Sequence, residues 1–278
     1  MVYKTDLHTH STASDGQYSP SELAHLVKKR GTQVWALTDH DSVGGIDEAL
    51  RASERLGLQM VRGVELSADD YLNLHILGYN FSVLSIQDWL NSLQGGRNSR
   101  KYRIRDFLRA KGLEISLAEV DEVAGNGAVG RPHFAQVMLR RGYVSTRKEA
   151  FDRYLDTAEF QKIEQGTKPG AKECVERIKS AGGVASLAHP YQIVLDGETL
   201  EELVLRLKSY GLDAIECRYP IHTQEQTEEY LYLAQKYGLH ITGGSDFHGE
   251  KNKPDHPLAA WELELGWLIQ KDWNANAI

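Results

Sequence analysis

Two cysteines and seven prolines in 278 residues leave no room for a stapled or a proline-rich chain. Cys174 and Cys217 show no C-x-x-C spacing, so a disulfide framework is excluded and two small buried thiols in a reducing cytoplasm are expected. No run of about 18 apolar residues occurs, so no transmembrane helix is predicted. The opening Met1–Asp6 lacks the apolar core of a secretory signal. Positive charge is also short: 32 Lys and Arg against 39 Asp and Glu give a net charge of −7. A body of that sign is no stable partner for duplex nucleic acid, although a local basic site stays open. There is no internal repeat and no low-complexity tract. What remains, 41% hydrophobic and 26% charged residues, is ordinary globular composition and excludes disorder, collagen and coiled coil as descriptions of the whole chain. At about 150 residues per domain the length fits one barrel plus an insertion.

The chain repeatedly shows a short apolar run, a polar stretch and an amphipathic helix closed by glycine. Strands are predicted at 2–7, 34–38, 59–66, 74–79, 184–188, 214–217 and 240–243, with a possible further one at 260–265. One helix opens at Ser19-Pro20-Ser21-Glu22, where Ser19 can cap and Glu22 can reach back, and Gly31 ends it. Another closes at Gly57. Such alternation predicts an α/β fold with a largely parallel sheet, and seven or eight units favour a closed barrel. Only about six residues join the third and fourth strands, too few for a crossover helix. From Phe81 to Gln165 the rhythm breaks, with turn signals at Gly95-Gly96, Gly125-Asn126-Gly127 and Gly142. This stretch is expected to be a helical insertion over the active site, dividing the chain into a barrel of 1–80 and 166–278 and an insertion of 81–165.

The eleven histidines are not scattered evenly, and several stand at strand ends. His8 and His10 form His-x-His at the end of the first strand, where residues two apart point to the same side. Asp15 follows in the loop, His40 ends the second strand, Glu65 the third, and His75 lies on the fourth. His189 ends the fifth, and Asp246 and His248 follow the last. In an α/β barrel the carboxyl ends of the strands carry the active site. Nine imidazoles and carboxylates on one face, with no thiolate, suit Mn, Fe or Zn at a catalytic centre of more than one metal. A single histidine would be an ordinary capped or solvated side chain; this pattern is not. His25, His240 and His256 are assigned no chemistry.

The motifs Asp6-Leu7-His8-Thr9-His10, Thr38-Asp39-His40-Asp41, Gly63-Val64-Glu65, Leu74-His75, Leu187-Ala188-His189-Pro190 and Gly244-Ser245-Asp246-Phe247-His248 resemble, in order, those of the PHP (polymerase and histidinol phosphatase) phosphoesterases. That resemblance implies a distorted (β/α)7 barrel with two or three divalent metal ions. It places His8, His10, Glu65 and Asp246 on one ion, Glu65, His75 and His189 on a second, and Asp15, His40 and His248 on a third. Asp6 and Asp39 are expected to orient imidazoles. The chemistry implied is in-line attack of metal-bound hydroxide on a phosphate ester, without a covalent intermediate.

Two features bear on the substrate. Gly130-Arg131-Pro132-His133 offers a guanidinium fork for phosphate and an imidazole two residues on, and by spacing alone it equally describes a helix start. It resembles a segment of the PHP subgroup acting on nucleoside 3′,5′-bisphosphates and short oligonucleotides, which implies catalytic and substrate-binding roles for Arg131 and His133 beside Asp246. The basic run Arg97, Arg100, Lys101, Arg103, Arg105, Arg109 and Lys111, opposed by Asp106, reads as a solvated helix face or as an attractor for a nucleotide or a short RNA end. His222, just after a strand end, is a further substrate-binding candidate, and Glu216 on the same strand can touch the ligands. The subgroup implies removal of the 3′-phosphate from substrates such as pAp, with 5′-3′ exoribonuclease activity on short RNA beside it. The alternatives are a histidinol-phosphate phosphatase and a non-catalytic metal-binding module.

Overall fold

The computed structural model describes residues 1–125, 129–164, 166 and 168–269. The first βα unit forms as its sequence dictates. Strand β1 (Val2–Asp6) leads to helix α1 (Pro20–Arg30), whose Ser19 hydroxyl accepts the Glu22 N–H while the Glu22 carboxylate accepts the Ser19 N–H. Gly31, at φ 87°, ends α1 in the left-handed conformation that glycine adopts without steric cost. Strand β2 (Val34–Leu37), helix α2 (Ile46–Leu56) and strand β3 (Gln59–Ser67) repeat the unit. Trp35 on β2 is fully buried and donates its indole N–H to Ser53 on α2 at 2.9 Å, which satisfies its one polar atom.

Strand β4 (His75–Tyr79) then runs back against β3, with Glu65 opposite Leu77 and Ser67 opposite His75. The seven-residue link has no length for a crossover, so a hairpin is the available connection. β4 is antiparallel also to β5 (Val184–Leu187), so a largely parallel sheet holds only as two runs, β1–β2–β3 and β5 followed by β6 (Ala214–Arg218) and β7 (His240–Gly243). The reversal puts the amino end of β4 at the carboxyl ends of its neighbours. Strand β8 (Trp261–Glu264) is the eighth, antiparallel to β1 from Val2 to Thr5. Where β8 stops, β1 and β7 meet directly: Leu7 N–H bonds Gly243 O at 3.0 Å and Asp246 N–H bonds His8 O at 2.7 Å. The eight-stranded sheet is thereby a nearly closed barrel.

Between β4 and β5 lie α3 (Val83–Ser92), α4 (Gln94–Ala110), α5 (Leu117–Ala124), α6 (Arg131–Arg140), the single turn α7 (Arg147–Ala150), a π-helical turn Phe151–Leu155, α8 (Ala158–Glu164) and α9 (Ala171–Ser180). After β5 and β6 come α10 (Leu200–Tyr210) and α11 (Gln224–Tyr237). α3 packs Ile86, Trp89 and Leu90 into the barrel's own apolar cluster, beside Ile178 of α9. A separate cluster, with Ile104, Leu108, Phe134, Met138 and Phe160, serves the insertion. Packing therefore starts the independent helical unit after α3 rather than at Phe81. The turn expected at Gly95-Gly96 is helix: the chain breaks at Leu93 and α4 already begins at Gln94. Gly142 does turn, at φ 71°, while Asn126 and Gly127 lie outside the described residues. Among the described residues no helix is long and apolar enough to cross a membrane.

Candidate metal centre

Every strand direction described above points ligand-bearing residues at one end of the barrel. His8 and His10 continue β1, His40 follows β2, Glu65 lies near the end of β3, His75 opens the reversed β4, and His189 follows β5. Asp246 and His248 follow β7. Glu65 is the hub and is fully buried. Its Oε1 lies 2.7 Å from His75 Nδ1 and 2.9 Å from His189 Nε2, and its Oε2 lies 3.2 Å from His8 Nε2, 3.1 Å from His10 Nε2 and 3.0 Å from His40 Nδ1. Asp246 Oδ1 sits 3.2 Å from His10 Nε2 and 3.3 Å from His248 Nδ1, and Asp15 Oδ1 sits 3.2 Å from His248 Nε2.

The approaches of His75 and His189 to Glu65 Oε1 are hydrogen bonds, whereas those at Glu65 Oε2 are not. His8 Nε2, both nitrogens of His10, His40 Nδ1, His189 Nδ1 and Glu65 Oε2 are buried and lack any hydrogen-bond partner. Buried polar atoms aimed at one point without partners are costly, and a cation displacing the protons would satisfy them. Among the described residues three groups have donor atoms within 4.8 Å of one another: His8, His10, Glu65 and Asp246; His10, Asp15, His40 and His248; and His40, Glu65 and His75. All nine residues picked from sequence stand in or beside these groups. His189, expected beside His75, touches Glu65 without belonging to a triple. An all-imidazole and carboxylate donor set with no sulfur fits Mn, Fe or Zn.

Proton affinities in the metal-free site follow burial and charge. Burial opposes a charge on His8, yet Glu216, Glu65 and Asp246 carry it well above the ordinary imidazole range. Burial likewise opposes His10, and Asp246 and Glu65 still raise it to about 9. Burial wins at His40, which falls to about 3, and at His75. Burial would lift Glu65, Asp15 and Asp246, but the imidazoles, and for Asp246 first of all Lys253, hold them well below the carboxylate range. Backbone geometry is strained at two of these positions, His189 at φ 24° and Asp246 at φ 53°. Each costs on the order of 1–3 kcal/mol in a residue with a Cβ, a pattern that clusters at functional sites.

The carboxylate that orients an imidazole is Glu216. It lies 3.2 Å from His8 Nδ1, leaving Nε2 aimed at the centre, and accepts the His189 N–H at 2.8 Å. Asp6 and Asp39, expected in that role, instead staple loops. Asp6 accepts the Ser245 N–H and hydroxyl and the Ala259 N–H, at 2.9, 2.7 and 2.9 Å, while burial raises its pKa to about 6. Asp39 accepts the Ser11 N–H and the Ser11 and Ser14 hydroxyls. Sequence reasoning also passed over the wall beyond Asp246. Tyr219 donates its hydroxyl to Asp246 Oδ2 at 2.5 Å, and Lys253 pairs with the same oxygen. His256, expected to be an unremarkable tail residue, is buried 5.3 Å from the Tyr219 ring with neither nitrogen bonded.

The substrate candidates are placed as follows. Arg131 is buried: it donates to Leu155 O at 3.2 Å and to Asn73 Oδ1 at 2.8 Å, and it pairs with Asp156. Asn73 lies in the β3–β4 loop two residues before His75, so Arg131 ties the insertion to the site. His133 Nδ1 accepts the Gly130 N–H at 2.9 Å, closing the start of α6. Its other face lies toward the Ser14 backbone and the Asp15 charge. His222 is stacked 5.0 Å from Tyr219 and edge-on to Tyr191 and Tyr230. It lines a separate cleft of about 450 Å³ with Arg218, Thr223 and Thr227. The basic run on α4 is mostly knitted to acids: Lys101 to Asp121, Arg105 to Asp106, Arg109 to Glu114 and Lys111 to Glu159. The side chain of Arg97 lies outside the described residues.

Comparison with known proteins agrees with this geometry. The PHP domain family matches residues 6–181. A 5′-3′ exoribonuclease of Haemophilus influenzae is 36% identical over 253 residues, covering 89% of this chain and 91% of that one. A 3′,5′-nucleoside bisphosphate phosphatase of Chromobacterium violaceum is 30% identical over 255 residues, covering 87% and 86%. Among solved structures, an amidohydrolase of Chromobacterium violaceum with bound sulfate and no metal superposes with a TM-score of 0.80 at 27% identity, covering 98% of this chain and 95% of that one.

Proposed function

Since the chain belongs to the PHP domain family, we propose that it is a divalent-metal-dependent phosphoesterase that removes the 3′-phosphate from a nucleoside 3′,5′-bisphosphate and leaves the 5′-nucleotide, with the 5′ end of short RNA as a second substrate. The observation that carries this reading is the overlap of three ligand groups on Glu65 and His10. In this reading one ion is held by His8, His10, Glu65 and Asp246, a second by Glu65, His75 and His189, and a third by Asp15, His40 and His248. Such ions, when bound, lower the pKa of water and neutralise phosphoryl oxygens. The chain's own groups do the rest. Glu216 fixes the His8 ring, and Tyr219 and Lys253 occupy Asp246 Oδ2, so that Asp246 offers Oδ1 to the centre. His133 faces the site beside Asp15. Arg131 reaches a substrate only by leaving Asp156, and otherwise acts by seating the insertion. Two buried unpaired thiols agree with a cytoplasmic location.

The test is turnover by metal-depleted protein given Mn²⁺, with adenosine 3′,5′-bisphosphate, histidinol phosphate and a short 5′-phosphorylated RNA in parallel. We expect 5′-AMP from the bisphosphate and slower nucleotide release from RNA. Turnover of histidinol phosphate alone would refute the nucleotide reading and leave the metal reading standing.

Metal loading should also be coupled to pH. His8 and His10 hold protons in the metal-free site, and a metal ligand must be a neutral imidazole. Binding therefore expels protons. Apparent affinity should rise with pH up to about 9, by about tenfold per unit for each proton displaced. Calorimetric Mn²⁺ titrations in buffers of different ionisation enthalpy would show this, and an affinity flat between pH 6 and 9 would refute it.

A further inference from the structure

Among the described residues between 131 and 153, one cation of the insertion is left without an ion pair or a hydrogen bond. Between residues 131 and 153 the exposed cations are each matched: Arg140 with Glu122, Arg141 with Glu119, Lys148 with Asp152 and Arg153 with Glu149. Buried Arg131 has Asp156. Arg147 is half-buried and, among the described residues, has no ion pair and no hydrogen bond. The charge that acts on it is Asp15, a residue of the metal centre, and it in turn acts on His133. A guanidinium carries five N–H donors that cannot be neutralised, and withdrawing them from water without acceptors is costly. The arrangement calls for an anion.

The local structure fixes where this arginine stands in the insertion. Thr146 caps α7 by accepting the Glu149 N–H at 3.0 Å, which fixes Arg147 at the first helical position. α7 runs directly into the π-helical turn Phe151–Leu155, a rare form often found at functional sites. That turn ends at Leu155 and Asp156, the two groups Arg131 grips. Arg131 is thus a bracket on the segment whose head is Arg147.

Building on the phosphoesterase reading above, we propose that Arg147 binds the phosphate of the substrate that is not cleaved. The reacting phosphate would face the metal ligands at the barrel mouth, while Arg147 stands on the segment that Arg131 ties to Asn73, two residues before His75, and within range of the charges of Asp15 and His133. A planar fork suits two of the three free oxygens of a terminal phosphate. The 5′-phosphate of a nucleoside bisphosphate, or of an RNA end, is such a group, and a substrate lacking it has nothing for Arg147 to hold.

The experiment compares wild type, Arg147→Ala and Arg147→Lys on adenosine 3′,5′-bisphosphate and on adenosine 3′-monophosphate. In Arg147→Ala we expect KM for the bisphosphate to rise about 10- to 100-fold, the loss of one charge-assisted contact, with kcat within about twofold. Kinetics on the monophosphate should not change. Arg147→Lys, which keeps charge without the fork, should fall between. Binding of 5′-AMP and of adenosine to the metal-free proteins, by calorimetry, supplies a readout free of turnover: Arg147→Ala should lose 5′-AMP affinity and keep that for adenosine. Equal losses on both nucleotides, or no loss on the bisphosphate, would overturn the proposal. If wild type hydrolyses neither nucleotide, the substrate reading fails, and the 5′-AMP arm still decides whether Arg147 holds a 5′-phosphate.

Discussion

Glu65→Gln is expected to purify with fewer bound metal ions than the parent protein and to release phosphate at least about 10³-fold more slowly. The bound is set by the outer partners of metal ligands, whose loss typically costs about 10–100-fold; Glu65 is not an outer partner but the carboxylate facing five imidazoles at 2.7–3.2 Å. Glutamine keeps the size of the side chain and replaces one acceptor oxygen with a donor amide, so the change removes charge while sparing the packing of a fully buried position. Two of the three ligand groups contain Glu65. Elemental analysis of the metal-loaded protein should therefore show the loss of more than one ion. Added Mn²⁺ should raise the melting temperature of the parent and do so much less in the variant, because an ion stabilises only the state that binds it. Full stoichiometry with normal turnover would remove Glu65 from the centre.

The second large effect is expected at a residue with no side chain. Gly244 lies where β1 and β7 close the barrel, and a Cβ built there would sit 2.2 Å from His8 Cβ and 2.5 Å from His8 N. Neither neighbour is the free end of a side chain. Gly244→Ala must part the seam that holds Leu7 to Gly243 and Asp246 to His8. Overpacking of this kind costs about 1–3 kcal/mol, and a clash with backbone belongs at the upper end. The same displacement moves His8 relative to Asp246, so metal affinity should fall together with stability. Gly266→Ala is the control, since nothing lies within 4 Å of a Cβ at that position. Parallel melting curves and Mn²⁺ titrations would check both; a Gly244→Ala protein that melts and binds like the parent would show that the seam gives way without cost.

The convergence of imidazoles and carboxylates at strand ends was legible because each sits at a particular place on a recognisable strand. His-x-His reads as one face of an extended chain, and Glu65 and Asp246 follow apolar runs short enough to be recognised as strands. Even β8 left a trace in the alternation of Trp261–Glu264. The direction of β4 was readable only as a link too short for a helix. What could not be read depends on partners distant in sequence. Asp6 looked like a support for the imidazoles beside it, yet its hydrogen bonds go to Ser245 and Ala259. Glu216 looked optional because its contact, His8, is 208 residues away. Arg131 and Arg147 are equivalent on paper, and only the placement of Asp156 consumes one and leaves the other without a partner. The helix cap of α6 likewise hid in a motif that suggested chemistry, since His133 Nδ1 is engaged by Gly130.

The seam between β1 and β7 also governs when, during synthesis, the protein becomes able to hold metal. Asp6 and Ser245, which bond across it, are 239 positions apart. His8 and His10 leave the ribosome more than two hundred codons ahead of Asp246 and His248. Until then the nascent chain carries imidazoles without the carboxylate and the closing strand that set their geometry, and joining such distant segments is slow because loop closure precedes any gain from contact. Selection of the metal is therefore deferred to the finished barrel, whose closure admits an ion only to a site already shaped.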